Sequence, residues 1–161
     1  MAGVSAAPRE IQPGPKNTEV EMEIRAVVRN RGREHSVALS TDGRESRLPV
    51  PAKAEGPGSA VNGGELLCAA LATCFCNDLY REAARRGMRL DGVEVEAVAE
   101  FGGPGEPARR ITCSARVTSD APADEVEALI RDTDRVAEVH NTLRAGTTVE
   151  LRAAPPAAVA G

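Results

Sequence analysis

Asn62-Gly-Gly-Glu65-Leu-Leu-Cys68-Ala-Ala-Leu71-Ala-Thr-Cys74-Phe-Cys76-Asn-Asp78 is the stretch that decides the fold. Asn62 followed three residues later by Glu65 has the form of a capping box. The Asn side chain accepts from a first-turn N–H, and the Glu carboxylate reaches back to the cap. The helix so begun should run to about Arg86 and stop at Gly87, with Arg81, Arg85 and Arg86 facing the negative end of its dipole. From Leu66 to Cys76 it is apolar all round apart from Thr73. Such a helix must be covered on every side, between sheets or between two subunits.

Working outward, Val20, Met22, Ile24 and Ala26 alternate with Glu21, Glu23 and Arg25, the pattern of a half-buried strand. Asn30 to Arg33 is a turn, His35 to Thr41 the returning strand, and Asp42-Gly43 a second turn into a short strand over Arg44 to Leu48. Pro51 to Gly64 reads as a loop. Beyond the helix, Val93 to Phe101 and Ile111 to Val117 alternate as a hairpin with one apolar face. Ser119 or Asp120, then Pro122, open a second, amphipathic helix carrying Val126, Leu129, Ile130 and Val136. Asn141 to Gly146 should break that helix, and Thr147 to Leu151 should close as a strand. The expected order is β-β-β-α-β-β-α-β, an α+β fold. Residues 1–18 and 153–161 are rich in Pro, Gly and Ala and are expected to be disordered tails, leaving one domain over 19–152.

Composition narrows the function. The 161 residues carry 20 Lys and Arg against 24 Asp and Glu, a net charge of −4, so no basic face exists to bind nucleic acid. Phe75, Phe101 and Tyr80 are the only aromatics, too few for a base-stacking platform. No apolar run is long enough to span a membrane, and no secretory signal pattern is visible, so a cytoplasmic protein is expected. Three of the four cysteines, Cys68, Cys74 and Cys76, crowd into one apolar segment, with Cys113 apart. That clustering suits thiol chemistry or core packing rather than a disulfide framework.

Asn62-Gly-Gly-Glu-Leu-Leu-Cys-Ala-Ala-Leu-Ala-Thr-Cys74-Phe resembles the central-helix signature of the OsmC/organic hydroperoxide resistance family. Asn141-Thr-Leu-Arg-Ala-Gly146 resembles the family's second signature, and the likeness covers about Val20 to Leu151. The resemblance implies an intertwined homodimer whose long central helices are wrapped by sheets from both chains. It also implies reduction of organic hydroperoxides by a cysteine thiolate, with a second cysteine resolving the sulfenic acid and an Arg and a Glu assisting.

Cys74 falls on the reactive position. Mid-helix placement denies it much help from the helix dipole, so a cation should stand beside it. Arg33 of the Arg31-Gly32-Arg33-Glu34 turn is the first candidate and Arg31 the second, unless both are solvated turn charges. This chain departs from the family at three positions: Ala137 stands where the resolving cysteine is expected, Glu138 at the Pro, and His140 at the Ser. The family's Glu position falls on Gly64, with Glu65 one residue away. Cys76 points about 200° around the helix from Cys74, and Cys68 about 120°, so neither can bridge it in regular geometry. Cys68, Cys76 and Cys113 read most simply as small buried hydrophobes. His140 is either an acid–base group at the site or a solvated histidine ending a helix. No cofactor or metal is expected, since Cys74-Phe-Cys76 lacks paired zinc-ligand spacing.

Three readings stay open: a one-cysteine hydroperoxide reductase working from Cys74 with Arg33, Glu65 and His140 and an external thiol; a catalytically degenerate dimer binding a small apolar molecule; and a structural dimeric module.

Overall fold

The computed structural model describes residues 22–153. The N-terminal tail, the expected strand start at Val20 and the tail from residue 154 lie outside the described residues. The chain divides into two compact units between Ala60 and Val61.

The first unit holds an antiparallel sheet ordered β1 (Ile24–Arg31), β2 (Glu34–Thr41) and β3 (Arg44–Leu48). Asp42 and Gly43 link the last two with φ of +48° and +79°, the two left-handed positions of a type I′ hairpin turn. Asp42 Oδ1 also accepts from the Glu23 N–H at 2.9 Å. The register pairs Ala26 with Leu39, and Val28 with Val37, which in turn faces Leu48, so the apolar parity shares one face. That face is not half-buried as the alternation suggests: Ile24 is 70% exposed and Val28 59%. The pattern specifies a face that wants a cover, and a single chain leaves much of it open.

The second unit is built on α1 (Gly63–Arg85). Its capping box is complete: Glu65 N–H donates to Asn62 Oδ1 at 2.9 Å, and Asn62 N–H to Glu65 Oε2 at 2.7 Å. At the other end Gly87 takes φ +68°, Met88 N–H bonds Ala83 O and Gly87 N–H bonds Ala84 O, a Schellman closure. Leu71, Phe75, Leu79 and Ala83, spaced four apart, form its buried stripe. β4 (Gly92–Phe101) and β5 (Ala108–Thr118) pair as a long hairpin, and α2 (Ala123–Val136) supplies Leu129. Together these elements make the core, with Val93, Val95, Cys113 and Val117 packed against it.

In the single chain one side of the central helix is open, with Ala69 and Ala70 exposed. Two expectations need correction. The second helix breaks earlier than Asn141: Ala137 adopts an extended conformation, and the chain restarts as α3 (Glu138–Arg144), making Asn141 helical. Thr147 to Leu151 form no strand, and Val149 and Leu151 are almost fully exposed. A strand needs an edge to pair with, and that segment meets none among the described residues. The observed order is β-β-β-α-β-β-α-α, still α+β.

Leu79 has no exposed surface, so Leu79→Ala should cost about 2–5 kcal/mol in urea unfolding. Asn62→Ala, which removes the cap alone, should cost about 1 kcal/mol.

Candidate functional site

Cys74 lies on α1 one residue before the buried Phe75, and so at the edge of the core stripe. Asp78, one turn on, is only 2% exposed, although an isolated buried carboxylate is costly. The chain answers that charge locally. Arg81 Nη1 sits 2.7 Å from Asp78 Oδ1 and 3.5 Å from Oε1 of Glu138, the first residue of α3. The Cys74 thiol donates to Asp78 Oδ2 at 3.5 Å and approaches Glu138 Oε2 at 3.8 Å. One thiol, two carboxylates and one guanidinium therefore meet where α1 and α3 touch.

The electrostatics keep the sulfur protonated. Burial pushes the Cys74 thiol up; a hydrogen bond from the Val139 backbone works against that, and the charges of Asp78 and Glu138 add to it. Asp78 is likewise raised, first by burial and then by Glu138, with Arg81 pulling it down. The nearby cation is Arg81, not the expected Arg33 or Arg31, and it pairs with the two carboxylates that approach the sulfur. Among the described residues, Cys74, Asp78 and Glu138 are also the group whose ligand atoms converge, within 4.8 Å. Arg81 already takes the neutralising role that a cation would have there.

The other expected site residues are placed as follows. Glu65 spends its carboxylate on the cap, nine residues from Cys74, roughly 13.5 Å along the helix and half a turn around it. A Cβ on Gly64 would come within 3.2 Å of Phe101 Cε2, so the ring fills the space a side chain would need. Ala137 is fully buried in the core and offers no thiol. Arg33 follows Gly32 in the turn between β1 and β2, in the first unit, and donates to Ala54 O at 3.0 Å. His140 is not a solvated helix end. It is 6% exposed, stacks on Phe75 with ring centroids 5.0 Å apart, and binds Asp134 Oδ1 through Nδ1 at 2.9 Å. Arg144 clamps the same carboxylate at 2.8 and 2.9 Å. Burial works to raise Asp134, but the bonds from Arg144 and His140 outweigh it and hold Asp134 below the ordinary carboxylate range. All four cysteines are free and partly buried.

Sequence reading missed Asp78, Arg81 and Glu138 as a group. It put Arg81 at the helix dipole and assigned Asp78 no part. The spacing Cys74-x-x-x-Asp78-x-x-Arg81 was a legible signal, because residues three and four apart share a helix face. Glu138 was not, since only the early break at Ala137 turns α3 onto α1.

The OsmC-like protein family model matches residues 56–152, more than half of the chain. The chain belongs to the OsmC-like family. Its fold is similar to that of an OsmC-like protein from Mycoplasma pneumoniae, with a TM-score of 0.57 at 18% identity over 79% of this chain and 89% of that one. It is similar also to an organic hydroperoxide resistance protein OsmC from Legionella pneumophila, with a TM-score of 0.50 at 23% identity over 80% and 92% of the two chains. No curated protein matches by sequence. Among the described residues no helix is long and apolar enough to cross a membrane. The OsmC-like assignment thus agrees with both signatures, while the residues around Cys74 depart from the family's pattern.

Because the folded thiol is raised, iodoacetamide labelling of Cys74 should still be climbing with pH beyond about 10, where an ordinary thiol with a pKa of about 8.5 has levelled off. Glu138→Gln removes one nearby negative charge and should speed labelling at pH 8 about threefold, a shift of about half a pKa unit. An unchanged rate would detach Glu138 from the sulfur.

Proposed function

We propose that this OsmC-like protein is a one-cysteine organic hydroperoxide reductase in which carboxylates, rather than an adjacent guanidinium, take the thiol proton. The observation that carries the reading is the half-buried Cys74 sulfur within reach of both Asp78 and Glu138, which share Arg81. In the step proposed, the thiol proton passes to Asp78 as sulfur bonds the distal peroxide oxygen and the O–O bond breaks. The departing alkoxide takes that proton and leaves as an alcohol, and Cys74 becomes a sulfenic acid. Two external thiols then return it to the thiol, forming their own disulfide and water, since Ala137 supplies no resolving cysteine. A raised thiol lowers the thiolate fraction, but the thiolate that forms is the more nucleophilic for its basicity. His140 has a positioning part, holding α3 and its Glu138 against α1 through the Phe75 stack. Dependence on an external thiol suits a reducing compartment, the cytoplasm.

A homodimer belongs to the same proposal. The open apolar face of β1, the uncovered side of α1 and exposed Tyr80, Val98 and Phe101 are surfaces that a second copy would bury. A second reading, an OsmC-fold dimer without turnover that binds a small apolar molecule, is favoured by the Phe101 ring over Gly64 and the buried Ala137.

The purified protein should consume cumene hydroperoxide with dithiothreitol as reductant and give a trappable sulfenic acid at Cys74. Cys74→Ser should abolish turnover and Asp78→Asn should lower kcat/KM at least tenfold, whereas Cys113→Ser should leave it unchanged. Turnover no faster than dithiothreitol alone would leave the binding reading. Sedimentation at micromolar concentration should give twice the 16.9 kDa chain mass.

A further inference from the structure

Away from Cys74, the second unit holds a cavity of about 540 Å³ between α1, β5, α2 and α3. That volume lies within the range of small-molecule sites. Its apolar wall includes Leu71, Phe75, Ile111 and Leu143, and Cys74, Asp78 and Glu138 take no part in it. The charged lining is unbalanced: Arg131 and Arg144 against the single carboxylate of Asp134. This is a cationic lining in a chain whose net charge is −4. Arg144 already neutralises Asp134, which His140 also bonds. Among the described residues Arg131 has only Glu127 at 3.6 Å, a long and exposed pairing worth little. His140, more than nine-tenths buried, lines the cavity and fixes Asp134 through Nδ1.

We propose that this cavity is a binding site for a small organic carboxylate with an apolar body. The carboxylate lies toward Arg131, where a guanidinium offers two parallel donors. The body lies along Leu71, Phe75 and Ile111, where burial of apolar surface supplies the affinity. The site is separate from the peroxide chemistry and does not depend on it.

4-Phenylbutyrate and its neutral counterpart 4-phenylbutanol are suitable probes, with binding to the full chain read by calorimetry and peroxide turnover measured in parallel. The carboxylate should bind saturably, at least tenfold more tightly than the alcohol, and more weakly as salt rises. Arg131→Gln should weaken the carboxylate at least fivefold while leaving turnover unchanged. Leu143→Glu, which sets a like charge on the wall at a half-exposed position, should abolish binding while circular dichroism shows the fold intact. Equal affinity for acid and alcohol, binding indifferent to both variants, or no saturable binding would each overturn the proposal. Failure of turnover with binding intact would strike only the reductase reading.

Discussion

A carboxylate buried inside an apolar helix interface must be answered by charge or hydrogen bonds, and Asp78 sets that condition for the whole second unit. It sits beside Leu79, which has no exposed surface, in the middle of the stripe that makes the core. Its compensation comes from three directions: Arg81 along the helix, the Cys74 thiol one turn back, and α3 through the Glu138–Arg81 contact. Losing one partner while the others stay would leave a buried charge unanswered, which is costlier than never having buried it. The seating of α3 on α1 and the state of the thiol are therefore parts of one electrostatic arrangement.

That arrangement gives the thiol a character unlike that of a cysteine beside a free cation. The guanidinium is close, but its charge is spent on two carboxylates, and the sulfur meets their oxygens first. The thiol proton is held at rest, with Asp78 on the inner side and Glu138 on the exposed side at the start of α3. The positions where the family's acid and resolving cysteine are expected are filled by packing instead, with Phe101 against Gly64 and Ala137 in the core. A second polar knot, His140–Asp134–Arg144, stiffens the other side of α3 and lines the cavity there, so one short helix serves two neighbourhoods.

The apolar surfaces left open follow one logic. The parity of β1, the Ala69 and Ala70 side of α1 and the Val149 and Leu151 alternation are written as buried patterns, yet each is exposed in one chain. Exposed apolar area on this scale marks an interaction surface.

What the sequence determined by itself is everything governed by neighbours along the chain. The Asn62–Glu65 box, the Gly87 stop, the Asp42-Gly43 turn, the two hairpins and the family signature around Cys74 are all local, because caps, turns and alternation act over a few residues. Tertiary structure decided what depends on residues meeting across elements. Ala137, buried in the core, interrupts α2 with an extended backbone, and that break carried Glu138 to Cys74 and His140 to Phe75. Sixty-four residues separate Cys74 from Glu138 in the chain, and no periodicity reaches so far. The sulfur's partners, and hence its protonation, belong to the packing of α3 on α1.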